Sequence, residues 1–473
     1  LPGMSPFIEN MASDGSMDDA TTTSVREVTP GVPAPPPPAS LGRIPGGVWN
    51  TLAGSVMVVM AAAVLQRAVG FVRATWFCRR LDPQELGLWD ASFGFLMTAG
   101  PLVVLALAGC LGRYVEHYRK RGRLRTFIRR TATAYAILAV SGTGVVLLAA
   151  EPLAGLLFNN PGQASTVRLL AGVLLTVTAF NFLYELMTAL RRTAWIAGLQ
   201  LANSVLFAAV GVGLLLIWKN AAVSVMLAYG SACAVTAAAA LWGLRGAPFA
   251  DSAGETPLGH REFWPKILAF SASLWAASTV SNLFETADRY MILHLLPEGP
   301  AAALARLGDY HASRLVPTLM VSLAAMTAGI AVPHLSREWE SGRRAAVGLQ
   351  TRLLLKLFGG MLCLASAILL AAAPWVFGVL FAGKYPAGLE ILPLTVTYCL
   401  WYAMFVILQN YLICSEKTWL AGAALAAGLG VNVALNGVLL PVFGLPGGVA
   451  KAVRPEDQAR FREVASEAVD FAR

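Results

Sequence analysis

The sequence predicts an all-α integral membrane protein of two six-helix lobes arranged as a parallel repeat. About eleven spans are visible, and the twelfth is expected to be missing or replaced. Three observations lead there. Of 473 residues, 56% are hydrophobic and only 13% charged, with a mean hydropathy of +0.61; ordinary soluble domains carry about 25% charge. The apolar residues fall in blocks of about 20, the length a helix needs to cross the hydrocarbon core. A short pattern also recurs 221 residues apart, once in each half of the chain.

Residues 1–46 are polar and end in Pro33-Ala34-Pro35-Pro36-Pro37-Pro38, a composition expected of a disordered cytoplasmic tail rather than a cleaved signal peptide. The N-terminal lobe is read at 47–244, with spans near 48–78, 86–112, 129–150, 167–190, 193–217 and 221–244. A polar cytoplasmic linker follows at 245–262. The C-terminal lobe, 263–450, has spans near 263–296, 303–333, 348–381, 387–414 and 418–443. Residues 451–473 form a polar tail whose pattern permits a short amphipathic helix where a twelfth span would fall.

Lysine and arginine set the orientation. With the N-terminus cytoplasmic, the inner connections hold 19 basic residues and the outer ones six. The expected location is the cell (inner) membrane, with the N-terminus inside. The net charge of +9 is thereby a topology signal spread over short loops, and a nucleic-acid partner is not expected. The six cysteines, scattered through apolar stretches, read as small buried hydrophobes.

The repeat rests on Leu86-Gly87-Leu88-Trp89-Asp90-Ala91-Ser92 and Leu307-Gly308-Asp309-Tyr310-His311-Ala312-Ser313. Gly122-Arg123 and Gly342-Arg343 then match at an offset of 220. An even number of crossings separates the copies, so the lobes share one orientation and are related about an axis along the membrane normal, with a substrate path between them.

Cations inside a membrane helix cost free energy and need water, a snorkelling route or an anion. Arg67 and Arg73 lie six residues apart in the first span, about 120° around the helix, with Gly70 midway on that arc. A bare backbone between two guanidiniums suits a large anionic headgroup, because the planar fork donates to two phosphate oxygens at once. The alternative for Arg73 is snorkelling to the outer headgroups beside Arg79 and Arg80. Arg314 lies deep in the eighth span with no acid at i±3 or i±4. In the seventh, Glu285 and Arg289 have the i,i+4 spacing of an ion pair, and Asp288 is either a proton or cation site or a partner for an arginine. These three are the candidates for coupling to H+, Na+ or the membrane potential, and no cofactor is expected. Asp90, Glu116 and Glu185 lie near span ends, where solvation is easy. His117, His260 and His334 form no ligand set. No nucleophile–base pair, P-loop or metal motif is visible, so the chain does not read as an enzyme.

The run Arg67-Ala68-Val69-Gly70-Phe71-Val72-Arg73 is similar to the arginine-x-x-glycine-phenylalanine-x-arginine run in the first helix of the lipid II flippases. The wider chain resembles the polysaccharide (O-antigen type) flippases of the multidrug/oligosaccharidyl-lipid/polysaccharide (MOP) exporter superfamily. That resemblance rests on Glu85-Leu86-Gly87-Leu88-Trp89, Asp288-Arg289, Gly308-Asp309-Tyr310, Leu380 to Tyr385, and Asn432 to Gly448, in that order. It implies a MOP/MATE-like fold and a flippase that moves a polyprenyl-diphosphate-linked oligosaccharide from inner to outer leaflet by alternating access. Its partners would be the bilayer, the lipid-linked glycan, glycosyltransferases and a polysaccharide polymerase. It places Arg67, Arg73 and Arg314 on the diphosphate. The arginine pair that lipid II flippases carry early in the second helix is absent, where Pro101 falls, and their extra C-terminal helices have no counterpart here, which favours a polysaccharide-type substrate. Two alternatives stay open: a multidrug/organic-cation antiporter, supported by Glu285 and Asp288, and an inactive scaffold subunit of a glycan-assembly complex.

Overall fold

The computed structural model describes residues 52–245, 259–415 and 417–452. The expected tail at 1–46 and nearly all of the linker and the C-terminal tail lie outside the described residues. The first lobe contains α1 (Leu52–Arg80), α2 (Pro83–Val103), α3 (Cys110–Lys120), α4 (Leu124–Leu148), α5 (Ala150–Phe158), α6 (Ala164–Ala189), α7 (Thr193–Ile217) and α8 (Ala222–Leu244). The second contains α9 (His260–Leu295), α10 (Pro300–Leu315), α11 (Thr318–Glu340), α12 (Arg344–Ala371), α13 (Ala373–Phe381), α14 (Pro386–Glu390), α15 (Leu392–Cys414) and α16 (Thr418–Ala452), the last kinked at Gly444. Among the described residues ten helices are long and apolar enough to cross a membrane. This is a multi-pass membrane protein.

Four spans expected to be continuous are broken: the ninth divides at Ala372 and the tenth at Ile391, and the other two divide at prolines. The second splits into α2 and α3 after Pro101, which cannot donate to the helix ladder. Leu105 and Ala106 then adopt left-handed φ values of 50° and 48° before a 3-10 turn at Leu107–Gly109. The eighth splits into α10 and α11 at Val316-Pro317. The breaks do not coincide in the repeat: counted from the matched glycines Gly87 and Gly308, Pro101 lies 14 residues on and Pro317 nine. Gly122 (φ 61°) and Gly342 (φ 77°) make the same left-handed turn after α3 and α11. Likewise α4–α5 and α12–α13 are matching helix pairs ending in left-handed caps at Asn159 and Ala382.

The lobes meet where α2 and α10 cross. A Cβ at Gly87 would overlap the carbonyl oxygen of Leu304, and one at Gly308 would overlap that of Pro83. Both contacts map onto each other by the 221-residue offset, so the axis inferred from sequence runs through this crossing. Two further contacts obey the same symmetry. Tyr385, in the turn after α13, donates to the carbonyls of Cys78 (2.9 Å) and Leu81 (3.1 Å) at the end of α1. Asn159, after α5, donates to the carbonyl of Leu293 near the end of α9 (3.2 Å). Together they seal one end of the molecule. Towards the opposite end the start of α9 lays Phe263 against Tyr118 and Phe127 of the first lobe, with ring centroids 6.0 and 6.2 Å apart.

Candidate functional site

Beneath the seal the lobes diverge around a cavity of about 990 Å³, which reaches Thr193, the first residue of α7, and Pro333 of α11. Cavities of this size stand at the upper end of the range for small-ligand sites. The α1 wall brings Arg67, Gly70 and Arg73 to it, and the C-terminal end of α10 brings Arg314. The three arginines and the glycine singled out in the sequence thus share one space, although they come from opposite lobes.

Each guanidinium is held without a carboxylate partner among the described residues. Arg67 donates across the cleft to Ser322 of α11. Arg73 lies 4.0 Å from the centroid of the Phe207 ring and donates to the carbonyl of Ser204 at 3.4 Å, so its side chain turns into the cavity rather than to the headgroups. A Cβ at Gly70 would come 3.7 Å from the Arg73 guanidinium, which leaves the backbone there open beside the cation. Arg314 sits over Tyr310 and Tyr398, 5.1 and 5.7 Å from their centroids, and its buried Nε has no hydrogen-bond partner. A small recess joins Arg67, Arg314 and Glu285.

The seventh-span charges differ from expectation. Glu285 and Arg289 do not form the i,i+4 ion pair: Arg289 Nη1 donates to the backbone carbonyl of Glu285 (2.9 Å), and its Nε donates to Asp90 (2.8 Å). Asp288 does not line the cavity. It accepts from Tyr310 (2.7 Å) and Asn436 (2.9 Å), and so ties α9 to α10 and α16. Of the coupling candidates, Glu285 and Arg289 line the cavity, and only Glu285 presents an acid to it, 3.4 Å from the Tyr402 hydroxyl.

Asp90 is the residue the sequence reading undervalued. Rather than lying solvated near a span end, it is 2% exposed and joins the lobes, with Arg289 on one oxygen and His311 Nδ1 on the other (2.7 Å). The missed signal was the repeat itself: Asp90 and His311 stand 221 residues apart, so the crossing that superposes the glycines also brings an acid against a base. Outside the spans, burial first and then Lys266, Arg121 and Arg113 push the His117 imidazole below its ordinary value. Among the described residues no group of three or more His, Cys, Asp or Glu could hold a metal ion.

The fold resembles three solved transporters. These are "Lipid II flippase MurJ, inward closed conformation" (TM-score 0.66, 11% identity, 83% of each chain), an inward-facing multidrug resistance MATE family transporter of the MOP superfamily (0.60, 13%, 83% of this chain and 92% of that one), and an outward-facing member of the same MATE family (0.54, 12%, 84% and 90%). At these identities the likeness concerns the fold. A search of curated proteins finds no relative of matching sequence. The model of one family, described as "Polysaccharide biosynthesis protein", matches residues 52–339, more than half of the chain. The chain therefore belongs to the polysaccharide biosynthesis protein family and carries the two-lobed fold of MOP-superfamily transporters.

Proposed function

We propose that the protein is a flippase for a polyprenyl-diphosphate-linked oligosaccharide, carrying its headgroup from the inner to the outer leaflet by alternating access. The observation that supports this is the convergence of Arg67, Arg73 and Arg314, none in an ion pair among the described residues, on one cavity closed at one end. A diphosphate entering that space trades its hydration for guanidinium forks already placed by Ser322, Phe207 and two tyrosines. In a water-poor cavity such charge-assisted bonds are stronger than at a surface. Four arginines line the walls (Arg67, Arg73, Arg289, Arg314) against two carboxylates (Asp90, Glu285). A cavity for organic cations would carry the opposite balance.

With the N-terminus inside, as the Lys/Arg asymmetry of the connections favours, the sealed end faces outward and the cavity loads from the cytoplasm. Release then requires the α2–α10 crossing, the Asp90 bridge and the Tyr385 strap to part. Glu285, beside Arg67 and Arg314 in the recess, is the carboxylate placed to exchange a proton or Na+ as the phosphates arrive. Glycosyltransferases would supply the substrate and a polymerase would consume it. In a strain whose surface polysaccharide depends on this chain, Arg67→Ala and Arg314→Ala each abolish export while the protein stays at normal level in the membrane. Export at the unaltered rate in both variants overturns the reading.

A further inference from the structure

The cavity wall beside Arg73 is aromatic rather than charged. Trp89 and Phe93 of α2, Phe207 of α7 and Tyr229 of α8 form one continuous cluster along it, with centroid separations of 5.4 Å (Trp89–Phe93), 5.9 Å (Trp89–Phe207), 5.7 Å (Phe93–Tyr229) and 5.1 Å (Phe207–Tyr229). Trp89 and Phe207 are buried as packing residues, whereas Phe93 and Tyr229 remain half-buried. The guanidinium of Arg73 rests on Phe207. An anion-binding group and a run of aromatic surface are therefore adjacent, one ring apart. The opposite wall is polar, with Asn282, Thr286 and His311.

That pairing has a specific chemical meaning. An aromatic face carries the negative lobe of the ring quadrupole. A pyranose offers a complementary surface, since one of its faces presents weakly positive C–H groups while its hydroxyls project from the rim. Stacking buries the apolar face and leaves the rim for polar side chains, here the amides of Gln200 and Asn203 on the same wall. A lipid chain or a bare phosphate needs neither feature. In a lipid diphosphate sugar, a single bridging oxygen separates the distal phosphate from the first sugar ring. A phosphate on Arg73 thus delivers that ring to the neighbouring aromatics.

We propose that Phe93 and Tyr229 form a subsite for the pyranose attached directly to the diphosphate, so that the cavity distinguishes a loaded carrier lipid from an unloaded one. The proposal rests on the assignment of the cavity arginines to phosphate. Its consequence is economy of transport: a carrier without its glycan engages the arginines but not the aromatic wall, and is held less tightly.

The test uses the purified full chain in lipid nanodiscs and two probes, undecaprenyl diphosphate and undecaprenyl-diphosphate-N-acetylglucosamine. The wild-type protein binds the sugar-bearing probe about five- to tenfold more tightly, the size expected of one stacked pair. Phe93→Leu, and separately Tyr229→Leu, bring the ratio of the two affinities towards one. Tyr229→Phe, which keeps the ring, keeps the preference, and so controls for loss of packing. Equal binding of the two probes by the wild-type protein, or an unaltered ratio in both leucine variants, overturns the subsite alone. If Arg73→Ala leaves undecaprenyl diphosphate binding unchanged, or neither probe binds, the phosphate assignment falls and the subsite with it.

Discussion

The sealed end and the cavity are built from the same two repeats but use them in opposite ways. At the seal, equivalent positions do equivalent work. Gly87 and Gly308 each admit the other helix's backbone, and the turns after α5 and α13 each strap the end of a long helix in the opposite lobe. A few residues deeper the equivalence is gone. Asp90 and His311 are symmetry mates of opposite chemistry, and the two arginines of α1 face an α10 wall that supplies one arginine and one histidine. Symmetric contacts give a seal to which the two lobes contribute alike. Divergence just below it leaves a cavity with chemically distinct walls, which suits the two-ended substrate of the proposed function.

The sharpest way to break the comparison is at Asp90. Removing one partner of a buried ion pair costs about 3–5 kcal/mol, because the other charge is left without compensation. Asp90→Asn removes the negative charge and replaces one of the two acceptor oxygens that Arg289 and His311 use with an NH2 donor, and so favours separation of the lobes. Cys78 provides a native reporter, fully buried at the seal beneath Tyr385. In a protein retaining only this cysteine, its labelling rate by a water-soluble maleimide follows the open population. Asp90→Asn raises that rate at least a hundredfold, whereas His311→Asn, which leaves the Arg289 bond in place, raises it much less. An unchanged rate in Asp90→Asn removes the bridge from the gate.

The glycine crossing comes next. Forcing a methyl into a closely packed contact costs about 1–3 kcal/mol, and at Gly87 and Gly308 the obstacle is backbone, which cannot rotate aside. Gly87→Ala and Gly308→Ala each speed Cys78 labelling by about ten- to a hundredfold. Because the two positions are symmetry mates in like surroundings, their effects agree within a factor of about three. A large disparity between them would show that the crossing is less symmetric in solution than its geometry implies.

These positions also mark how far the sequence could be read. The spans, the repeat and the arginines were legible because hydrophobic block length, a seven-residue pattern and an uncompensated intramembrane cation are local signals. The breaks after Pro101 and at Pro317 were less so, since proline is tolerated inside membrane helices and its effect depends on neighbours. Partner choice was not legible at all in the seventh span. Spacing offered Glu285 to Arg289, but the nearer acid in space lay 199 residues away. Asp288 gave its carboxylate to Tyr310 and Asn436, a choice set by how α9 packs on α10 and α16.

Smaller effects belong to the straps. Tyr385→Phe removes a buried hydroxyl that serves two carbonyls at the end of α1, groups left over where the helix stops. A net hydrogen bond is worth about 1 kcal/mol, so Cys78 labelling rises about fivefold. The same substitution leaves the affinity of the cavity for undecaprenyl diphosphate within a factor of about two, because the strap lies outside the lining. A large loss of affinity would mean that seal and site are not separable.

The least effect is expected from Lys384. Its ammonium lies 3.6 Å from Asp82, whose side chain is 76% exposed, and 3.3 Å from the carbonyl of Arg80. Exposed pairs contribute about 0–1 kcal/mol, and salt screens them. Lys384→Ala therefore changes Cys78 labelling less than about threefold, and the difference fades as ionic strength rises to about 1 M, where the screening length falls to about 3 Å. Asp90→Asn, shielded from solvent, keeps its effect across that range. A salt-resistant, tenfold effect at Lys384 would reverse the ranking of rim and interior, and would move the weight of the seal from the buried bridge to its surface.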